Sequence, residues 1–186
     1  MEAAIRAVEC DEASSWAHHE LSTAYQWLDR FEDALDEARI SVELNPNDAY
    51  AIHALGNKSD LAGDSNGIVL MERAQKINPE GARRHTQLTF LVRAYINIGE
   101  HGTAVRLARQ AIRRKSNYAP AYFILAIAQG YSGDLAPARE ALAKCGQITP
   151  GFVSSRRDWH PYHDPNSNER LHQGLRLIEE WSSQQS

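Results

Sequence analysis

The sequence predicts an all-α fold, a solenoid of stacked helix–turn–helix pairs closed by a C-terminal capping helix, and three observations predict it. The first is a recurring phrase of an apolar residue, a polar residue and a proline: LNPND at 44–48, INPEG at 77–81 and ITPGF at 148–152. Pro46 and Pro79 lie 33 residues apart, and Pro79 and Pro150 lie 71 apart, about two periods with a small insertion. A period near 34 residues suits a helix–turn–helix repeat. The second is a leucine column, Leu21, Leu55, Leu91 and Leu125, followed by Ser22, Gly56, Val92 and Ala126. The third is a pair of small-residue columns in each second helix: Ala34, Gly67, Ala104 and Ala138, then Ser41, Ala74, Ala111 and Cys145.

The physics behind these columns is direct. Antiparallel helices joined by a short turn must approach closely, so the crossing needs small side chains with a leucine filling the space beside them. Asp29, Gly63, Gly99 and Gly133 fall at the turns, where a left-handed residue ends the first helix. Pro46, Pro79 and Pro150 stop the second helix, with Ser116 in the equivalent place of the third unit. One amphipathic pair cannot cover its own apolar face, so neighbours must stack on it.

Taken in order, residues 1–12 form a remnant or capping helix. Its EAAIRAVE stretch reads as the tail of a second helix whose partner would precede Met1, as expected of the C-terminal piece of something longer or of a short reading frame derived from such a gene; the alternative is a simple N-terminal capping helix. Four pairs follow, at about 13–47, 48–80, 84–117 and 118–151. The second is one residue short around Asp64–Gly67, and an insertion at Gly81–His85 precedes the third, so the second is the least regular. Residues 152–186 hold a connector and cap. Val153–Arg157 reads as a short helix, Asp158–Pro165 as a proline-broken link, and a helix begins near Asn166–Asn168 and runs to about Trp181. Leu171, Leu175 and Ile178 share its apolar face, for packing on the last pair, while Glu169, Arg170 and Arg176 face water.

Composition limits the function classes. The net charge of −4 argues against generic nucleic-acid affinity. It is unevenly spread: residues 1–60 carry net −9, residues 61–120 net +6 and residues 121–186 net −1. That asymmetry reads first as a solvated helical surface, with self-association through acidic and basic halves, or an oppositely charged partner, as the alternative. The basic run on the third unit's second helix, Arg106, Arg109, Arg113, Arg114 and Lys115, reads as a solvated face. The longest apolar stretch, Ala119–Ala128, is too short for a membrane span. Cys10 and Cys145 make no metal or disulfide pattern, which fits a cytoplasmic protein, and Cys145 on a small column reads as a buried thiol. No phosphate loop, GxSxG or HExxH is present, so no catalytic residue, metal or cofactor is expected. His160 and His163, beside Asp158 and Asp164, match no standard zinc spacing and read as a connector packed by Trp159 and Tyr162.

The columns resemble the tetratricopeptide repeat (TPR) over residues 13–150. Tyr25 and Tyr95 match the tyrosine of that family's first helix, whereas Ser59 and Gln129 depart from it and Ser116 departs from its proline. The resemblance implies a protein-interaction scaffold whose first helices line a concave groove for a protein or peptide partner. Carried over unit by unit, the groove positions are Trp16, His19, Thr23, Gln26 and Trp27, then Tyr50, His53, Asn57 and Asp60. The third unit contributes Thr86, Phe90, Arg93 and Asn97, and the fourth Phe123, Ile127 and Tyr131. Aromatics mixed with hydrogen-bonding groups suit an extended peptide or a partner helix.

The tail, with Pro161, Tyr162, Asp164, Pro165, Glu169, Arg170, Leu171, Gly174, Leu175, Arg176 and Leu177, resembles the C-terminal TPR region of bacterial class III adenylate cyclases. Similar tails occur in winged-helix transcriptional regulators. The alternative this implies is a regulatory segment of such an enzyme or regulator, inactive by itself.

Overall fold

Each expected turn carries one residue in the left-handed conformation: Asp29 (φ 56°), Gly63 (87°), Gly99 (82°) and Gly133 (79°). Around these turns the computed structural model, which describes residues 1–185, is built of α-helices, with no strand among the described residues. The chain divides into two compact units, Met1–Glu80 and Gly81–Ser186.

The first unit holds α1 (Glu2–Cys10), α2 (Ser15–Trp27), α3 (Phe31–Leu44), α4 (Ala49–Leu61) and α5 (Asn66–Ile77). Helices α2 and α3 pair, as do α4 and α5; α1 packs on α2, and α3 on α4. The small columns sit at the crossings: Ala34 is 1% exposed and Ser41 0%. Serine adds polar stitching there. The Ser22 hydroxyl donates to the Ala34 carbonyl (2.6 Å), and the Ser41 hydroxyl donates to the Ser15 carbonyl (2.7 Å). In the second pair the backbones nearly touch: a Cβ on Gly67 would stand 2.4 Å from the Gly56 carbonyl oxygen. Leu55 is only half-buried here, and the fully enclosed side chains are Ile52 and Met71. Helix α5 has 12 residues against 14 in α3.

The second unit holds α6 (Arg84–Asn97), α7 (His101–Arg114), α8 (Ala119–Tyr131), α9 (Leu135–Ile148), the short α10 (Phe152–Ser155) and α11 (Pro165–Gln184). Pairs α6–α7 and α8–α9 bury Leu88, Leu91, Val92, Ala104, Ala126, Ala138 and Cys145. Burial pushes the Cys145 thiol up to about 11. The basic run on α7 is exposed, as expected.

The C-terminal helix departs from expectation in two ways. It starts at Pro165, because the Asp164 carboxylate accepts from the Asn166 and Ser167 amides (3.1 and 3.0 Å), and it continues to Gln184. Proline is suited to that first position, where its missing N–H is no loss. It also packs on more than the last pair: α11 lies against α8 and α9 and reaches α6. Among the described residues no helix is long and apolar enough to cross a membrane.

Candidate functional site

In the first unit the helical period brings Trp16, His19, Thr23, Gln26 and Trp27 to one side of α2. Trp27 is 84% exposed and Trp16 51%. The Trp16 ring stacks on His19 at 5.3 Å, which fixes it without covering it. The Thr23 hydroxyl is turned back onto the His19 carbonyl (3.0 Å). The neighbouring His18 is internal: its Nδ1 lies 2.6 Å from Glu37 and its Nε2 3.0 Å from the Glu12 carbonyl.

The α4 residues behave differently from the expected open groove. Tyr50 is half-buried, and His53, Asn57 and Asp60 are buried. Helix α4 packs against α2, α3 and α5 together, which leaves it little free surface. Lys58 is buried with them, and loss of water pushes its amine down to about 8.

In the second unit the chain itself occupies the expected groove residues. Arg93, expected to line the open groove, is 4% exposed; its Nε donates to the Tyr162 hydroxyl (3.3 Å) and its guanidinium lies over the Tyr162 ring at 5.1 Å. The Phe90 ring centre lies 5.6 Å from the same guanidinium. Tyr162 is held in turn by Asn168, whose Oδ1 accepts from the Tyr162 amide (2.9 Å) and whose Nδ2 donates to the Tyr162 carbonyl (2.8 Å). Asn97, through its Oδ1, accepts from Arg170 (3.0 Å). The Tyr131 hydroxyl donates to the Arg170 carbonyl, and its ring stacks on His101 at 4.6 Å. Burial pushes the Tyr131 hydroxyl up and the His101 imidazole down. Phe123 and Ile127 are buried, Phe123 edge-on to Phe152 at 5.7 Å. Thr86 remains half-buried near the start of α6.

Arg93, Asn97 and Tyr131, expected to face a partner, instead contact Tyr162 and Arg170 of the chain's own tail. Tyr162, Asn168, Arg170 and Gly174 read as parts of a connector and a cap. The available signal was Gly174, a glycine on the apolar face of an otherwise helix-forming segment. A Cβ there would stand 2.6 Å from the Ile127 side chain, and one on Gly130 3.0 Å from the Gly174 carbonyl oxygen. Among the described residues, no group of three or more His, Cys, Asp or Glu is placed to hold a metal ion.

No protein-family model matches the chain, and no curated protein matches it. Solved structures do. YrrB, a TPR protein with an unusual peptide-binding site, is 17% identical, with a TM-score of 0.63 over 96% of this chain and 91% of that one. PilW, a type IV pilus biogenesis factor, is 15% identical, with a TM-score of 0.74 over 97% of this chain and 80% of that one. The pilF protein of Pseudomonas aeruginosa is 14% identical, with a TM-score of 0.70 over 97% and 79%. The fold is therefore an all-α solenoid of TPR type.

Proposed function

We propose that the chain is a protein-interaction scaffold that binds a peptide or partner domain through the α2 face of its first unit. The observation that carries this reading is Trp27, 84% exposed, with the half-exposed Trp16 on the same helix side. A tryptophan left in water gains most from burial against a partner, and such residues are prominent among interface hot spots. In the second unit Tyr131 already contacts Arg170 and lies beside Gly174 of the chain's own tail. Gln26, between the two indoles, offers hydrogen bonds at the rim. The likeness to YrrB, with its peptide-binding site, supports the reading.

Charge narrows the partner. Residues 1–80 hold 16 acidic and 6 basic side chains, and residues 81–186 hold 8 acidic and 14 basic. A segment with one apolar anchor flanked by lysine or arginine fits the first unit. Self-association is the same chemistry with the basic α7 face of a second copy as the partner.

The test is affinity capture with the full chain and with Trp27→Ala, followed by titration of the captured partner. The substitution removes an exposed ring, so circular dichroism should be unchanged while affinity drops by about 2 kcal/mol, roughly thirtyfold. Unaltered affinity would remove the α2 face from the interaction.

A further inference from the structure

The tail that covers the second unit is built like a ligand. Leu171, Gly174, Leu175 and Ile178 fall at i, i+3, i+4 and i+7 of α11, all buried. That is the anchor spacing of an amphipathic helix laid in a groove. The glycine permits backbone contact at the crossing, where its own Cβ would meet Ile127 and Tyr131 at 2.6 and 3.1 Å. Polar hooks set the register: Arg170 on Asn97, Tyr131 on the Arg170 carbonyl, and Tyr162 on Arg93.

We propose that the α6–α8 surface of the second unit is an exchangeable helix-binding seat, that α11 is its tethered resident, and that a helix of the same pattern from another chain displaces it. The partner class is an amphipathic helix with an arginine, then leucine, glycine, leucine and an aliphatic residue at one, four, five and eight positions after it. This seat is separate from the Trp27 face and does not depend on it.

Two features favour exchange over a permanent cap. The pairs α6–α7 and α8–α9 have their own core of leucine, alanine and valine, together with Cys145. The link Arg156–Asp164 is nine residues without helix, long enough to span about 30 Å when extended, so α11 can leave its seat with those pairs intact once Tyr162 releases Arg93. Tethering gives the resident a high local concentration, so a free helix competes only when the resident is weakened.

The experiment uses a fluorescent synthetic peptide of residues 159–185 and the full chain, read by anisotropy. The wild-type chain should bind the peptide weakly. Gly174→Leu in the chain blocks seating of its own helix and leaves every α6 and α8 residue unchanged, so it should bind the native peptide at least tenfold more tightly. Leu175→Asp, which spoils an anchor of the resident helix, should do the same. A peptide that itself carries Gly174→Leu should bind neither. Folded variants with no gain in peptide affinity would overturn the proposal. So would loss of cooperative unfolding in both variants, because α11 would then be an integral part of the unit's core.

Discussion

Lys58 is a costly side chain to bury. It is 6% exposed, and burial lowers its amine from 10.5 to about 8. At ~1.4 kcal/mol per pH unit, that is a penalty of about 3 kcal/mol for holding the charge in the folded state. The sign follows from proton counting. Below pH 8 the amine is charged in both states and the penalty is fully present. Between about 8 and 10.5 the unfolded chain binds more protons, so stability rises with pH. Lys58→Met should therefore stabilise the protein by about 2 kcal/mol at pH 7, with the gain fading towards pH 10. Urea unfolding of both proteins across that range is the check, and a constant difference would refute it. The Cys145 thiol, raised to about 11, works the opposite way but is common to both proteins and cancels. Nothing in the sequence marks Lys58 as buried: it follows Asn57 on a polar stretch, and only the packing of α4 on three helices encloses it.

At the scale of elements, the α4–α5 crossing shows what the small columns do. A Cβ on Gly67 would stand 2.4 Å from the Gly56 carbonyl oxygen and 2.6 Å from the Asp60 amide nitrogen, both backbone atoms. Neither can turn aside as a side chain does, so Gly67→Ala should force the helices apart and cost about 3 kcal/mol. A Cβ on Gly102 of α7 would meet nothing within 4 Å, so Gly102→Ala should stabilise by about 0.5–1 kcal/mol through helix propensity. Thermal unfolding of the pair separates the two effects, and equal melting shifts would contradict the argument. These crossings were legible because close approach restricts the residue type at fixed intervals. The seat of α11 was legible only in part. Leu171, Leu175 and Ile178 declare an apolar face that lies on the last pair, but the periodic pattern does not show that α6 of the preceding pair completes the seat. The cyclase resemblance of residues 161–177 rests on the sequence alone.

For the whole molecule, charge is the organising contrast: net −10 over residues 1–80 and net +6 over residues 81–186. Attraction between such surfaces fades as salt shortens the screening length, from about 30 Å at 0.01 M to about 8 Å at 0.15 M. Self-association through them predicts a sedimentation mass above the 20.9 kDa monomer at low ionic strength, falling to the monomer as salt is added. A monomer throughout would make the partner a foreign chain. This contrast is fully legible before folding, since charge is counted from composition, whereas the covering of Arg93, Asn97 and Tyr131 depends on the path of the connector.

That connector has a consequence for the order of events on the ribosome. Residues 84–131 emerge before α11 does, and synthesis at about 5–20 residues per second leaves Ile127 and Tyr131 uncovered for a time on the order of seconds. Two nascent chains on one message would meet in that interval with both seats vacant. If the seat exchanges as proposed, the leading chain's final helix is complete while the trailing chain's seat is still vacant.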